Sequence, residues 1–373
     1  MKIIVLVDHL RIGGRERLAL DQMYAMSDRQ IESILVSLDS DATHLNPNFL
    51  SQKQEQTFIN KIKKIELTNR KSRWIIYLWR LYGKFKPDLI IAHTLPAVAV
   101  SRILRLFMCK KFHINAVIHQ LPSLSDKNQR YRRMFYSQFA DSLFGYSKAV
   151  KMDWDKHVAS NKIAKLLFKR QIEVLRNGIY INRLPPRQGK IYPGTKKVNS
   201  SLRLVFIGRI IAWKGIEKFT EIYDAIKDMR PRLLIITPSA NFEIQEKLYK
   251  VFDGKVEFLI GGTLADYTPE MGDVHVYPVD YGPAAQYVES ISLNCLEMAI
   301  LGIKSVVTSG GCGTWPELVK NGIFIETDWN SLAHIRSSIL SASQDSLNDQ
   351  DMLEVSKLVN IENNLMGHFR PII

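Results

Sequence analysis

The sequence predicts an α/β protein built from two doubly wound parallel-sheet domains. Three observations predict it. The chain has 373 residues, more than one hydrophobic core ordinarily serves, so two domains of under about 200 residues each are expected. Short β-branched runs alternate with helix-length segments throughout, the pattern of parallel strands joined by crossover helices. The alternation is broken once, by RLPPRQGKIYPGTKKVNS at 183–200, a non-periodic stretch rich in Pro, Gly and Lys.

In chain order, the first series of strands is KIIVLV, SILVSL, KIKKIEL, DLIIAH, INAVIH and SLFGYS. The second is LRLVFIG, RLLIIT, KVEFLI, DVHVYP, SVVTS and GIFIE. Helices fill the gaps. Trp74, Leu78 and Leu81 have helical spacing toward a sheet. Leu293, Leu296, Ile300 and Leu301 share the period of a helix that Gly302 stops. The expected division is a first domain over 1–185, a linker over 186–200, a second domain over 201–350, and a helical segment over 351–373 crossing back to the first domain. Ligands of such sheets sit beyond the carboxyl ends of the strands, here in a cleft between two facing sheets.

Apolar residues make up 46% and charged ones 24%, proportions of a globular protein rather than of a disordered chain. No run of 18 apolar residues exists. The best candidate, LIIAHTLPAVAVSRIL, is interrupted by His93, Thr94 and Pro96, so no membrane-spanning helix is expected. MKIIVLVDHL reaches Asp8 too soon for a signal peptide and reads as a first strand. Cys109, Cys295 and Cys312 are too few and too scattered for a disulfide framework or a zinc site. A cytoplasmic location follows as the expectation. Charge is uneven: residues 1–190 hold 34 Lys+Arg against 15 Asp+Glu, a net +19, and the remainder carries −5. The first half is therefore expected to meet an anionic surface or partner.

Three motifs can carry chemistry. In LVDHLRIGGRERL a strand ends near Asp8 and Gly13-Gly14 precedes a helix. This is either a plain strand-to-helix turn or a loop whose backbone N–H groups approach a phosphate. In LVFIGRIIAWKGIEKF a strand runs into Gly208-Arg209, and Lys214-Gly215 opens the next helix. The two cations are either solvated surface charges or the walls of a diphosphate pocket, with a guanidinium fork on one side and a point charge on the other. In VESISLNCLEMAI, Glu289 precedes a helix and Glu297 lies inside it. One reading is a helix bearing an exposed Glu. The other is a pair of acceptor-only carboxylates suited to sugar and ribose hydroxyls, with a helix N-terminus between them that favours an anion.

Taken in order, these motifs resemble those of the group 1 (family 4) retaining glycosyltransferases. VLRNGIYI resembles the Asn-Gly-Ile segment that ends the family's first domain. DLIIAH and AVIH resemble its His-ended strands, and GYSKAV its Ser-containing strand end. GDVHVYP resembles the strand before its glutamate motif, and GGCGTWPELVKNGIFI the segment after it. The resemblance covers almost the whole chain. It implies the GT-B arrangement of two Rossmann-like domains. It also implies a hexose moved from a nucleotide sugar, with a UDP-sugar as the default and GDP-mannose next. Neither a metal ion nor a cofactor is expected.

By the same resemblance, Glu289 holds donor-sugar hydroxyls and Glu297 holds the ribose. Arg209 and Lys214 hold the diphosphate and stabilise its charge as it leaves. Gly14 lets its loop approach the donor, and Gly208 with Ser290, Ile291, Ser292 and Leu293 completes the donor-binding set. His119 faces the sugar from the first domain. The departing phosphate oxygen takes the acceptor's proton on the face of attack. His93, His113, His157, His275, His334 and His368 are left as structural or surface residues. Ser290-Ile291-Ser292 replaces the family's usual Gly-Phe-Gly and implies a reshaped sugar pocket. Thr237-Pro238-Ser239 replaces a Gly-rich turn, and Arg15 stands where a small residue is usual.

The first half also interleaves cations with large apolar residues, as in KSRWIIYLWRLYGKFK, RILRLFMCKKF and RYRRMFY. Such surfaces bind anionic headgroups, with about 1 kcal/mol per nearby Lys or Arg. A peripheral enzyme on the inner face of the plasma membrane is expected, taking a lipid-linked or lipopolysaccharide-type glycan as acceptor in cell-surface polysaccharide synthesis. Two other readings stand beside it. One is a basic nucleic-acid-binding protein, which charge alone permits but for which no motif is visible. The other keeps the fold with different chemistry, as a sugar-nucleotide epimerase or a phosphorylase.

Overall fold

A computed structural model describes residues 1–8, 14–38, 71–108, 111–119, 127–160, 162–184, 202–211, 214–261, 264–279, 292–309, 315–344 and 347–370. The chain divides into two units. The first holds Met1–Tyr180 with Asn360–Ile373, the second Ile181–Val359. The chain thus returns to the first unit at Asn360. The expected strand KIKKIEL, the linker at 186–200, and Gly13, Glu289, Ser290 and Ile291 lie outside the described residues.

In the first unit the strands are β1 (Lys2–Val7), β2 (Glu32–Ser37), β3 (Leu89–Ala92), β4 (His113–Ile118), β5 (Ser142–Gly145) and β6 (Ile172–Val174). They form one sheet in the order β2-β1-β3-β4-β5-β6, every pair parallel. Ile3, Ile4, Val5, Leu6 and Val7 are all buried, because crossover helices cover both faces of a parallel sheet and leave no polar side for alternation. The helices are α1 (Gly14–Asp28), α2 (Lys71–Phe85), α3 (Leu95–Phe107), α4 (Lys127–Ser137), α5 (Lys148–Ala159) and α6 (Lys162–Leu167). Ser147 caps α5, its Oγ accepting from the Val150 N–H at 3.1 Å.

The buried stripe of α2 is Leu78, Tyr82 and Phe85, one step round the helix from the expected Trp74, Leu78 and Leu81. Trp74 and Leu81 flank it, half-buried, and Trp79 is exposed. The three-residue β6 was not expected: IEV is too short, and too polar at its centre, to stand out as a strand.

The second unit contains β7 (Arg203–Ile207), α7 (Phe219–Ile226), β8 (Arg232–Thr237), α8 (Phe242–Val251), β9 (Val256–Ile260) and β10 (Asp273–Tyr277). After these come α9 (Leu293–Ile300), β11 (Ser305–Thr308), α10 (Pro316–Lys320), β12 (Phe324–Thr327), α11 (Leu332–Gln344) and α12 (Asp349–Val359). Its sheet runs β12-β11-β10-β7-β8-β9, again parallel throughout. That is the Rossmann order. Leu204, Phe206, Ile222, Ile235, Val276 and Val306 are among the residues of its core. The expected doubly wound α/β class is what both units show. Each has one topological switch point, between β1 and β3 and between β7 and β10, where a crevice opens at the carboxyl edge.

The last helix, α13 (Ile361–Phe369), belongs to the first unit and packs on α1. The Ile361 N–H donates to the Ile179 carbonyl at 3.0 Å. A Cβ on Gly178 would come within 2.5 Å of the Ile361 Cα, so only glycine admits this approach.

Candidate active site

At the switch point of the second unit, β7 ends at Ile207 and hands the chain to Gly208 and Arg209. Arg209 is exposed, while the neighbouring Ile210 is buried and anchors the loop. The Lys214 N–H donates to the Ile211 carbonyl at 3.0 Å, which brings the chain back toward the sheet. Gly215 then takes a left-handed conformation, φ 71°. A Cβ there would stand 1.7 Å from the Pro278 carbonyl oxygen. The glycine after the lysine is therefore required by two backbones in contact.

This close approach lays Lys214 along the end of β10. Its Nζ donates to the Tyr277 hydroxyl at 2.7 Å and stands 4.8 Å from the centre of that ring. Burial pulls the ammonium down to a pKa of about 8, and the charge on Arg209 pulls in the same direction. Two cations held at one strand end repel each other, and a bound dianion relieves both the repulsion and the desolvation.

The third wall of the crevice is the start of α9. Ser292 caps it, its Oγ accepting from the Asn294 N–H at 3.4 Å. The Asn294 Nδ2 donates to the Ile207 carbonyl at 2.7 Å, which ties the first helical turn to the end of β7. The positive end of the helix dipole thus adjoins Gly208. Leu293 is buried in the same turn.

Glu297 is not the exposed carboxylate of the plainer of the two sequence readings. In α9, Leu293 and every residue from Cys295 to Ala299 are buried, and Glu297 itself is 0% exposed. It is ion-paired with Arg183, whose side chain is 9% exposed. A buried carboxylate needs such a cation, because desolvation without one costs several kcal/mol.

In the first unit, Gly14 opens α1 and is exposed; a Cβ there meets nothing within 4 Å. Arg15 is held by Asp8 at 3.1 Å and Glu16 at 2.8 Å. His119 follows β4 and is half-buried. Its Nε2 lies 2.9 Å from Nδ1 of His93, the residue that follows β3. The Tyr146 ring flanks it at 5.1 Å. Burial, reinforced by the charge of Arg15 and by His368, lowers His119 to about 3. His93, more deeply buried, is held well below the ordinary histidine value, by burial first and then by His119. Both shifts favour the neutral imidazole, whose two nitrogens then differ, one carrying N–H and the other a lone pair.

The structure therefore gathers Gly208, Arg209, Lys214, Ser292 and Leu293 at one strand edge of the second unit. It sets Glu297 one turn into the helix, and Gly14 and His119 at the edge of the first sheet. Sequence reasoning missed Tyr277, Asn294 and Arg183, and it set His93 aside as a structural histidine. It also missed Gln22, although LALDQMYAM carried a signal: Asp21 and Gln22 interrupt an apolar helix and are both 0% exposed. Among the described residues no group of three or more His, Cys, Asp and Glu is gathered as metal ligands would be, and no helix is long and apolar enough to cross a membrane.

No protein-family model matches the chain, and no curated protein matches it. Solved structures do. Sucrose-phosphate synthase of Thermosynechococcus elongatus is 17% identical over 99% of this chain and 98% of its own, with a TM-score of 0.66. HepE of Anabaena, in complex with UDP and glucose, is 17% identical over the whole of both chains, with a TM-score of 0.66. The lipopolysaccharide outer core galactosyltransferase WaaB is 13% identical over the whole of both, with a TM-score of 0.60. The likeness runs through both units. At these identities it shows the fold: the two-unit Rossmann-like fold of GT-B glycosyltransferases.

Proposed function

We propose that the chain is a retaining glycosyltransferase that draws a hexose from a nucleoside diphosphate sugar, UDP-linked before GDP-linked. The observation that carries this is the second unit's crevice, where Arg209, Lys214 and the α9 N-terminus converge on one strand end. Such an arrangement meets the charge of a departing diphosphate with groups already in place, which is electrostatic preorganisation. The fold shared with Anabaena HepE, a protein solved with UDP and glucose, supports the choice of nucleotide. In this reading Gly208 and the backbone at Ser292 and Leu293 line the diphosphate. Glu297 takes the ribose hydroxyls by sharing its carboxylate between them and Arg183. Glu289, Ser290 and Ile291 keep their assignment to the sugar through the motif alone. Gly14 and His119 serve the sugar from the first unit. No metal ion takes part, since the two cations do its work.

The acceptor is a lipid-linked or lipopolysaccharide-type glycan, met at an anionic membrane surface. The support is a face of the first unit. Helices α2, α3 and α4 pack side by side and expose Ile75, Ile76, Trp79, Ile103, Leu106, Phe107 and Phe135. Arg80, Lys84 and Arg132 are exposed on the same helices. Exposed apolar side chains and cations on the same helices suit an interface between headgroups and acyl chains.

A thermal-shift screen of UDP, GDP, ADP, CMP and dTDP tests the donor reading, with Glu297→Ala alongside. One nucleotide is expected to stabilise the wild type and to lose that effect in the variant. Stabilisation by none of them removes the donor reading, and an effect that survives in the variant removes the ribose assignment. Flotation with anionic vesicles at low salt tests the membrane reading, which fails if the protein stays at the bottom of the gradient.

A further inference from the structure

Inside the first unit, a file of polar side chains runs from α13 to His119, and its hydrogen bonds have only one consistent direction. It starts at a backbone carbonyl, that of Arg176, which can only accept. The Asn364 Nδ2 donates to it at 2.8 Å. That fixes the amide of Asn364, whose Oδ1 accepts from Nε2 of Gln22 at 2.9 Å. Gln22 is fixed in turn, with its Oε1 turned to Nε2 of His93 at 3.0 Å. An amide oxygen cannot donate, so the proton of His93 is on Nε2. Its Nδ1 is then a bare lone pair, and His119 must donate to it from Nε2, across 2.9 Å.

We propose that Asn364, Gln22 and His93 are positioning residues that lock His119 as its Nε2–H tautomer, so that it presents the bare Nδ1 as an acceptor for a hydroxyl of the transferred sugar. Gln22, His93 and Asn364 are all buried, at 0%, 2% and 3% exposure, so water does not compete for the chain. His119 is half-buried, and among the described residues its Nδ1 takes no partner. The other groups around it agree. Burial first, then Arg15 and His368, disfavour a second proton on the ring, and the Tyr146 ring flanks it. An imidazole edge with a lone pair and no N–H accepts from a hydroxyl and repels a carboxylate. With the C6 hydroxyl taken as the group that meets Nδ1, the chain selects a hexose over the corresponding uronic acid, which carries a carboxylate there. The lock rests on the hydrogen-bond geometry together with the neutral form that burial favours for both rings; its use on a sugar rests on the function proposed above.

The test is 15N-resolved NMR of the histidine rings in the full chain at neutral pH without substrate, with His119→Asn used to assign the signal. Nε2 of His119 is expected to be protonated and Nδ1 bare. A proton on Nδ1, or a doubly protonated ring, overturns the proposal. In Gln22→Leu the chain is cut, and the ring is expected to average between both tautomers. A role in packing alone would lower the melting temperature and leave the tautomer as it was, which also overturns the proposal. If Gln22→Leu fails to fold, the wild-type spectrum still decides. For the use, UDP-hexose and UDP-uronic acid are compared: wild type is expected to favour the hexose at least tenfold in kcat/KM, and Gln22→Leu to lose most of that preference. Equal turnover of the two by wild type overturns the selectivity. A locked tautomer without turnover of any nucleotide sugar refutes the function proposed above and leaves the lock standing.

Discussion

Replacing Arg183 by methionine keeps much of its aliphatic bulk and removes a cation from the buried carboxylate of Glu297. Both residues belong to the second unit, so the effect is confined there. Their side chains are 9% and 0% exposed, and little water can enter to replace the guanidinium. At an effective dielectric constant of about 20, two charges at 4 Å attract by about 4 kcal/mol. Stranding one partner of a buried pair costs about 3 to 5 kcal/mol. In a unit of about 150 to 250 residues each kcal/mol moves the melting temperature by roughly 2 to 4 °C, so a fall of roughly 6 to 20 °C is expected. Scanning calorimetry at neutral pH reads it. The double variant Arg183→Met/Glu297→Gln, which replaces the stranded charge by a neutral amide of the same shape, is expected to recover more than half of the loss. If the single variant loses less than about 1 kcal/mol, or the double variant is no better than the single, then Glu297 is not held as a charge by Arg183.

Lys214 gives a pH dependence. Its ammonium is intact below pH about 8, so kcat/KM is expected to fall as pH rises through that value. In Lys214→Arg, whose group keeps its charge there, any remaining activity should show no such limb; a limb of the same shape assigns it to another group. The same shift has an opposite sign for stability. The cost of burying the cation is fully present below about 8 and is relieved as pH climbs toward the unfolded value of 10.5. Gly215→Ala puts a Cβ into the Pro278 carbonyl and forces a side chain into a left-handed backbone. A loss of at least about 3 kcal/mol is expected in urea unfolding, and a loss under about 1 would show that the loop shifts freely. Gly14→Ala fills open space. Its stability should be unchanged or higher by up to about 1 kcal/mol, while KM for the nucleotide sugar rises; unaltered kinetics take Gly14 out of the site.

The strands were legible because β-branched runs buried on both faces leave a signal in any single window. Lys214-Gly215 was legible as a motif, though not its cause, since the Pro278 carbonyl that demands the glycine lies just past a different strand, β10. Helix α2 shows the limit of periodicity: Trp74 and Leu81 are as apolar as Tyr82 and Phe85, and only the position of the sheet chooses between them. Burial of Glu297 could not be inferred from its helix, because its cation is 114 positions away. The same holds for Gln22 and Asn364, 342 positions apart. Sequence windows report local pattern, whereas a polar group's partner is chosen by topology.

The second unit occupies one uninterrupted stretch, 181–359, with the long first part of the first unit before it and its short last part after it. This has a consequence for synthesis. When residues 1–180 have left the ribosome, α1 still lacks the helix that covers it, and Gln22 lacks Asn364. The cell must make all of the second unit before the first can close. Until then the nascent chain holds an unfinished core with polar groups open to water, and chaperones have time to bind it. Stopping translation at residue 359 would spare the part made last and cripple the part made first.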